Sequence, residues 1–134
     1  MLLMKLEAKE KFAFLQLSHY LARIDGVFGK KEEDIIEGFC LAMGVENSTS
    51  FDEKTFDLQV TLNQFDSIES KKIVILSLMV LIHIDDKFDV KEYELVEVIM
   101  EKFDLDKKDL KNYSSWGKAF SALHEQAKNF IYEE

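Results

Sequence analysis

Two stretches of the chain decide the fold: LARIDGVFGKKEEDIIEGF at residues 21–39 and LIHIDDKFDVKEYELVEVI at residues 81–99. Each runs from an apolar segment through an Asp-containing turn into a second apolar segment that opens with a Glu. Aligned without a gap, residues 21–45 and 81–105 share seven identities in 25, whereas unrelated segments would share about one or two. The sequence therefore predicts two related helix-turn-helix hairpins, with the second offset from the first by sixty positions.

Outside these stretches the apolar residues also recur at spacings of three and four, and the chain contains no proline. This period is typical of amphipathic helices, so we predict an all-α bundle of about six or seven helices in a single domain, residues 1–134. The first helix is expected at about residues 6–24, and one or two short helices at 51–65.

The helix ends carry recognisable signals. Gly44 is expected to end the second helix of the first hairpin. Asp66 or Ser67 is expected to cap a long central helix that runs to position 84, and Ser114 or Ser115 to cap a last helix. That last helix is expected to pack back on the bundle through an apolar stripe made of Trp116, Phe120, Leu123, Ala127 and Phe130.

Composition excludes several classes of function. The net charge is −9 and Arg23 is the only arginine, so we predict no binding to nucleic acid. The longest apolar run, residues 73–84, is about half as long as a bilayer-spanning helix, and we predict a buried core helix there with no membrane span. Because Cys40 is the only cysteine and the start lacks a signal-peptide pattern, we expect a cytoplasmic protein.

The two turns share the pattern D-x-x-F-x-x-x-E, which begins at Asp25 in the first hairpin and at Asp85 in the second. The pattern matches the second half of an EF-hand calcium loop, but the first half is missing because apolar and basic residues stand where ligands are needed. An EF-hand is therefore excluded. The residues at those positions are Leu21 and Arg23 in the first copy, and Leu81 and His83 in the second.

An apolar helix ending in Asp-Gly, an apolar residue three positions later and a Glu at plus seven, all occurring twice, resembles the tellurite-resistance protein TerB family over about residues 10–105. The resemblance implies an all-helical, non-enzymatic domain that acts in tellurite resistance or a related bacterial stress response. It also implies a divalent-cation site on the acidic residues of the motif. The sequence departs from the family pattern at Asp86, which replaces the usual Gly. The implied ligands are Asp25, Glu32, Asp85 and Glu92.

Two interpretations of these acidic residues stay open from the sequence. Glu32 and Glu92 fall at the third position of a helix, where a Glu closes a capping box, and each Asp can accept N–H groups of its own turn. If the hairpins pair about a two-fold axis, the same residues gather, with Asp86 and Asp89 nearby, into a group of carboxylates that favours a cation. Oxygen ligands would select calcium, magnesium or manganese over zinc.

The remaining reactive residues support no enzyme. The three histidines lie at no metal or catalytic spacing with one another, although His83 lies close enough in sequence to reach the second turn. Cys40 lies on an apolar stripe and is expected to be a packed thiol. The alternative function is a protein-protein interaction module of the co-chaperone adaptor type, in which the acidic face or the last helix docks the partner and the acidic turns are purely structural.

Overall fold

The computed structural model describes residues 2–26, 28–47, 51–84 and 89–132. Within these residues all regular structure is helical, as the apolar spacing predicts. The stretch 51–65, expected to hold one or two short helices, contains one, α3. The α-helices are α1 (Ala8–Ala22), α2 (Lys30–Met43), α3 (Leu58–Leu62), α4 (Ile68–His83), α5 (Val90–Lys102) and α6 (Leu110–Tyr132), and the 3-10 helices are Leu2–Lys5 and Lys107–Asp109.

Helix α4 lies at the centre of the core. Of its residues 73–82 all but Leu76 are buried, and α1, α2, α5, α6 and the first 3-10 helix all contact it. A helix that is apolar on every side is stable only when neighbours cover every side. The prediction of a buried core helix is therefore confirmed. Among the described residues no helix combines the length and apolar character needed to cross a membrane.

The helix starts follow a regular offset. Helix α1 begins at Ala8 and α4 at Ile68, while α2 begins at Lys30 and α5 at Val90. The four helices thus begin in two pairs, with sixty residues separating the equivalent starts. Ser67, one of the two residues expected to cap α4, is the cap, because its hydroxyl oxygen accepts the N–H of residue 70 at 3.0 Å.

The ends of α2 and α5 also correspond. Gly44, which ends α2 as predicted, has φ 71°, and Asp104 after α5 has φ 58°. Both residues therefore adopt the left-handed conformation that reverses the chain after a helix and satisfies carbonyls of its last turn. The closing bonds run from Val45 N to Cys40 O at 3.0 Å and from Leu105 N to Met100 O at 2.9 Å.

Helix α6 differs from expectation at its start and in the face that it buries. It begins at Leu110, directly after a 3-10 helix, so Ser114 and Ser115 lie inside it and neither is the cap. It packs along α4, but its buried residues are Gly117 and Ser121, because the two helices approach too closely for larger side chains. The expected apolar stripe lies mostly at the surface.

Candidate metal centre

The first acidic turn follows directly from the end of α1. Arg23 closes the helix, and the N–H of Gly26 then bonds the carbonyl of Arg23 at 3.0 Å. Gly26 has φ 84°, a conformation that glycine adopts with little strain and that residues with a side chain adopt at a higher free energy. This tight turn holds Asp25 at the surface, between the end of α1 and the start of α2.

The second turn connects α4 to α5, and its predicted ligand Asp85, like Asp86, lies outside the described residues. The described part resumes at Asp89, the N-cap of α5. One oxygen of Asp89 accepts the N–H of Lys91 at 2.8 Å and that of Glu92 at 3.3 Å. Asp89 thereby satisfies two of the amides that a helix start leaves without partners inside the helix.

Three carboxylates from the two turns come together. Asp25, Asp89 and Glu92 each offer one oxygen, and these oxygens lie within 4.8 Å of one another. The group spans a gradient of burial, since Asp25 is exposed, Asp89 is half-buried and Glu92 is only 4% exposed. Negative charges at this separation repel one another, and a divalent cation between them would relieve the repulsion.

Two of the four predicted ligands, Asp25 and Glu92, belong to this group, and Glu32 is not among its members. Glu32 is 4% exposed and its carboxylate accepts the N–H of Gly29, the N-cap of α2, at 3.1 Å. That bond is one half of a capping box, as the structural interpretation predicts. The sequence pointed to Asp89 only as a neighbour of the site, whereas the structure places it within the group.

Arg23 organises an aromatic cluster beside the first turn. Its guanidinium lies 4.1 Å from the centre of the Phe28 ring and 5.2 Å from that of Phe51. Burial lowers the pKa of Arg23, and the carboxylates of Glu32 and Glu53 act in the opposite direction. The negative charge of Glu32 therefore interacts with a half-buried cation as well as with a helix start. The sequence did not predict the cation-π contacts of Arg23, because such contacts depend on tertiary packing.

His19 is fixed by its neighbours in one tautomer. Arg23 donates from Nη1 to Nδ1 of His19 at 2.7 Å, so that nitrogen must be the acceptor. The other ring nitrogen, Nε2, therefore carries the proton and donates to Oδ1 of Asn47 at 3.2 Å. Burial lowers the pKa of His19, and the charge of Arg23 lowers it further, while the bond to Asn47 opposes this shift. His19 is a neutral core residue, in line with its expected structural role.

His83 belongs to a second polar cluster, which it forms with Tyr93 and Ser114. Its Nε2 lies 2.8 Å from the hydroxyl oxygen of Ser114 and 3.0 Å from that of Tyr93, and these two hydroxyls also contact each other. The cluster ties together α4, α5 and α6, and Tyr93 follows Glu92 directly in the chain. His83 thus contacts a residue in the first turn of α5, while residues 85–88 of the second acidic turn lie outside the described part of the chain.

Cys40 is buried with 3% of its surface exposed, and burial raises the pKa of its thiol. A raised thiol pKa reduces the thiolate population and hence the reactivity.

Comparison of the chain with protein-family models, with curated proteins and with solved structures finds no match. The acidic group is therefore interpreted from its geometry and chemistry.

Proposed function

We propose that this chain is a non-enzymatic, TerB-like helical domain that binds a divalent cation where its two acidic turns meet. The observation that carries the proposal is the approach of Asp25 to Asp89 and Glu92, within 4.8 Å, from turns that are far apart in the sequence. Local capping explains a carboxylate beside its own helix start, but it gives no reason for Asp25 to lie beside the start of α5.

The proposed site is asymmetric. Asp25, Asp89 and Glu92 are the ligands that we assign from geometry, and Asp85 is retained as a fourth on the sequence pattern alone. We do not propose Glu32 as a ligand, because its capping bond to Gly29 and its proximity to Arg23 account for its burial. A site of carboxylate oxygens suits calcium, magnesium or manganese.

A duplicated scaffold supports this assignment. We infer that α1–α2 and α4–α5 are two related hairpins, because their helix starts are offset by sixty residues and both second helices end in a left-handed residue. A side-chain contact also joins equivalent positions: the hydroxyl of Ser70 donates to a carboxylate oxygen of Glu10 at 3.0 Å. Equivalent residues meet in this way on a two-fold axis, and such an axis brings the two turns to the same end of the domain.

The TerB resemblance adds a biological setting to the chemistry. We propose that the domain acts in the cytoplasm, in tellurite resistance or a related bacterial stress response. The cation would then serve either as the signal or as a structural clamp between the two turns.

The second candidate is an interaction module in which the acidic turns are purely structural. The capping bonds favour it, since Asp89 accepts two helix amides and Glu32 accepts one. In this case the acidic face attracts a basic protein, and no cation is required.

Calorimetric titration with calcium, magnesium and manganese separates the two candidates. We expect the wild-type chain to release or absorb heat with at least one cation, and the double variant Asp25→Asn with Asp89→Asn to lose this heat. Asn also caps helices well, so the variant keeps the α5 cap while it loses both charges. A cation held at 100 times its Kd would also stabilise the wild type by about 2.7 kcal/mol in thermal melts.

Asp57→Asn is the matched control, because Asp57 caps α3 through the N–H of Val60 at 3.1 Å and is not one of the three grouped carboxylates. Its titration should equal that of the wild type. If the wild type gives no heat with any of the three cations, the cation site is refuted and the interaction module remains.

A further inference from the structure

Helix α6 contacts α4 through its smallest side chains. A Cβ added at Gly117 would lie 2.5 Å from the Cβ of Met79, so nothing larger than glycine fits there. One turn later the hydroxyl of Ser121 donates to the carbonyl oxygen of Val80 at 3.0 Å. The face of α6 that the protein core uses is therefore small and partly polar.

The apolar residues of α6 form a separate face, which we name the α6 stripe: Trp116, Phe120, Leu123, Ala127 and Phe130. With 3.6 residues per turn, this face lies about a third of a turn around the helix from Gly117 and Ser121. Most of it is exposed, with exposed fractions of 40% for Trp116, 65% for Leu123 and 69% for Phe130. The spacing of four and three residues is that of a helix that pairs with another helix.

A cavity lies beside the first half of the α6 stripe. It measures about 160 Å³, and its lining includes Leu3, Phe39, Val80, Trp116 and Phe120. An apolar cavity of about 150 Å³ is large enough to hold benzene, so this one can hold a phenyl ring. The exposed sides of Leu2 and Trp116 open it to the surface next to the stripe.

We propose that the α6 stripe is a dimer interface that takes the α6 stripe of a second copy of this chain. In an antiparallel pair with its two-fold axis near Leu123, Phe130 of the second copy comes opposite Trp116 of the first. The distance along the helix between these two positions is about 21 Å, at 1.5 Å per residue. Each copy then offers a phenyl ring at one end of the stripe and a cavity for it at the other, which is the self-complementarity that a two-fold interface requires.

Charge favours a second copy over other occupants. The residues that border the α6 stripe carry no formal charge: Ser115, Ala119 and Gln126 on one edge, and Tyr113, Gly117 and His124 on the other. The chain as a whole has a net charge of −9, so this neutral strip is the face on which two copies repel each other least. An anionic membrane would be repelled by the chain and would find no lysine along these edges.

Sedimentation velocity and the emission of Trp116 test the proposal. Trp116 is the only tryptophan, so its emission reports directly on the stripe. As the concentration rises from about 1 µM to about 1 mM, a range that covers weak to moderate dimers, we expect the mass to change from monomer to dimer and the emission to shift to shorter wavelength. A chain that stays monomeric over this range refutes the proposal.

Phe130→Asp should raise the dimer dissociation constant about 100-fold, as expected for the loss of a buried aromatic anchor. Asn129→Asp is the matched control, since it adds the same charge to an exposed neighbour of Phe130 whose side chain points away from the α6 stripe, and it should leave the dimer intact. Leu123→Glu provides a second variant if Phe130→Asp alters the circular dichroism of the monomer.

Two further outcomes would overturn the proposal. A dimer that survives both stripe variants with the wild-type dissociation constant uses another surface. A blue shift that requires anionic phosphatidylserine vesicles, while the free chain stays monomeric, assigns the stripe to a membrane surface instead. The outcome is independent of the cation site, since neither stripe variant changes an acidic ligand.

Discussion

In the proposed duplication, the two hairpins α1–α2 and α4–α5 have equivalent helix starts, but they cap their second helix with different chemistry. In the first, the N-cap is Gly29, which has no side chain, and Glu32 supplies the carboxylate that bonds the Gly29 N–H. In the second, Asp89 accepts the helix amides itself. Glu92, the counterpart of Glu32, lies with Asp89 and Asp25 in the acidic group. The hairpin with the acidic N-cap thus contributes two of the three grouped carboxylates, and the hairpin with the glycine N-cap contributes one.

The third position of the four helices in these hairpins extends this comparison. Glu10, Glu32, Ser70 and Glu92 occupy that position in α1, α2, α4 and α5, and all four are buried. At one end Glu10 and Ser70 bond each other across the hairpins, while at the other end Glu92 lies with Asp25. Position three therefore forms a structural contact at one end, through Glu10 and Ser70, and supplies one candidate ligand, Glu92, at the other.

The largest effect is expected where the hairpins meet through Glu10. Glu10→Ala should lower the free energy of unfolding by about 2–3 kcal/mol, because the N–H of Glu7 and the hydroxyl of Ser70 both lose their acceptor. Urea unfolding measures the change. Glu10→Gln keeps one acceptor oxygen and should lose much less. Equal losses in the two variants would mean that the negative charge, and not the acceptor oxygen, stabilises this contact.

Acid should weaken the first hairpin through His19. Its pKa is lowered in the folded chain, chiefly by burial, so the unfolded chain binds a proton first as the pH falls. The contribution of His19 to the free energy of unfolding is therefore fully present above the ordinary histidine pKa of about 6.5. It is lost as the pH falls below that value, by at most about 1.4 kcal/mol per pH unit. Urea unfolding between about pH 7 and pH 5 measures the slope in the pH range where histidine titrates.

His19→Gln provides the control for the acid effect. Gln can accept from Arg23 or donate to Asn47 but does not titrate, so the part of the slope that comes from His19 should vanish. The second hairpin has His83 at the position equivalent to Arg23. If the free energy of unfolding of the His19→Gln variant depends on pH as steeply as that of the wild type, the pH dependence does not arise from His19 in the first hairpin.

Sequence reasoning succeeded where one residue type determines a local conformation. Gly44 ends α2 because its left-handed φ favours glycine, and Ser67 caps α4 because its hydroxyl accepts an amide near the helix start. It was wrong for α6, where a regular apolar stripe predicted the buried face. The close approach of α4 at Met79 selected Gly117 and Ser121 instead, and the periodicity of one helix holds no information about the distance to its neighbour.

The candidate site was predictable in part for a related reason. The repeated D-x-x-F-x-x-x-E pattern identifies Asp25 and Glu92, because a two-fold arrangement of equal turns brings acidic residues together. The pattern treats Glu32 and Glu92 alike, although Gly29 and Asp89 give them different surroundings. Reading the N-cap residue together with position three would have separated the two.

The smallest effects, of opposite sign, are expected at the two helix ends. Gly44→Ala should destabilise by about 1 kcal/mol, since alanine in a left-handed conformation is strained and no neighbouring atom within 4 Å of the added Cβ compensates. Asp104→Gly should stabilise by about 0.5 kcal/mol, because it relieves the same strain and removes a negative charge from the end of α5. Asp104→Asn removes only the charge, so its comparison with Asp104→Gly separates the electrostatic gain from the gain that comes from relieved backbone strain. Urea unfolding of the three variants measures them together, and a loss of stability in Asp104→Gly would show that the Asp104 side chain contributes more than its backbone strain costs.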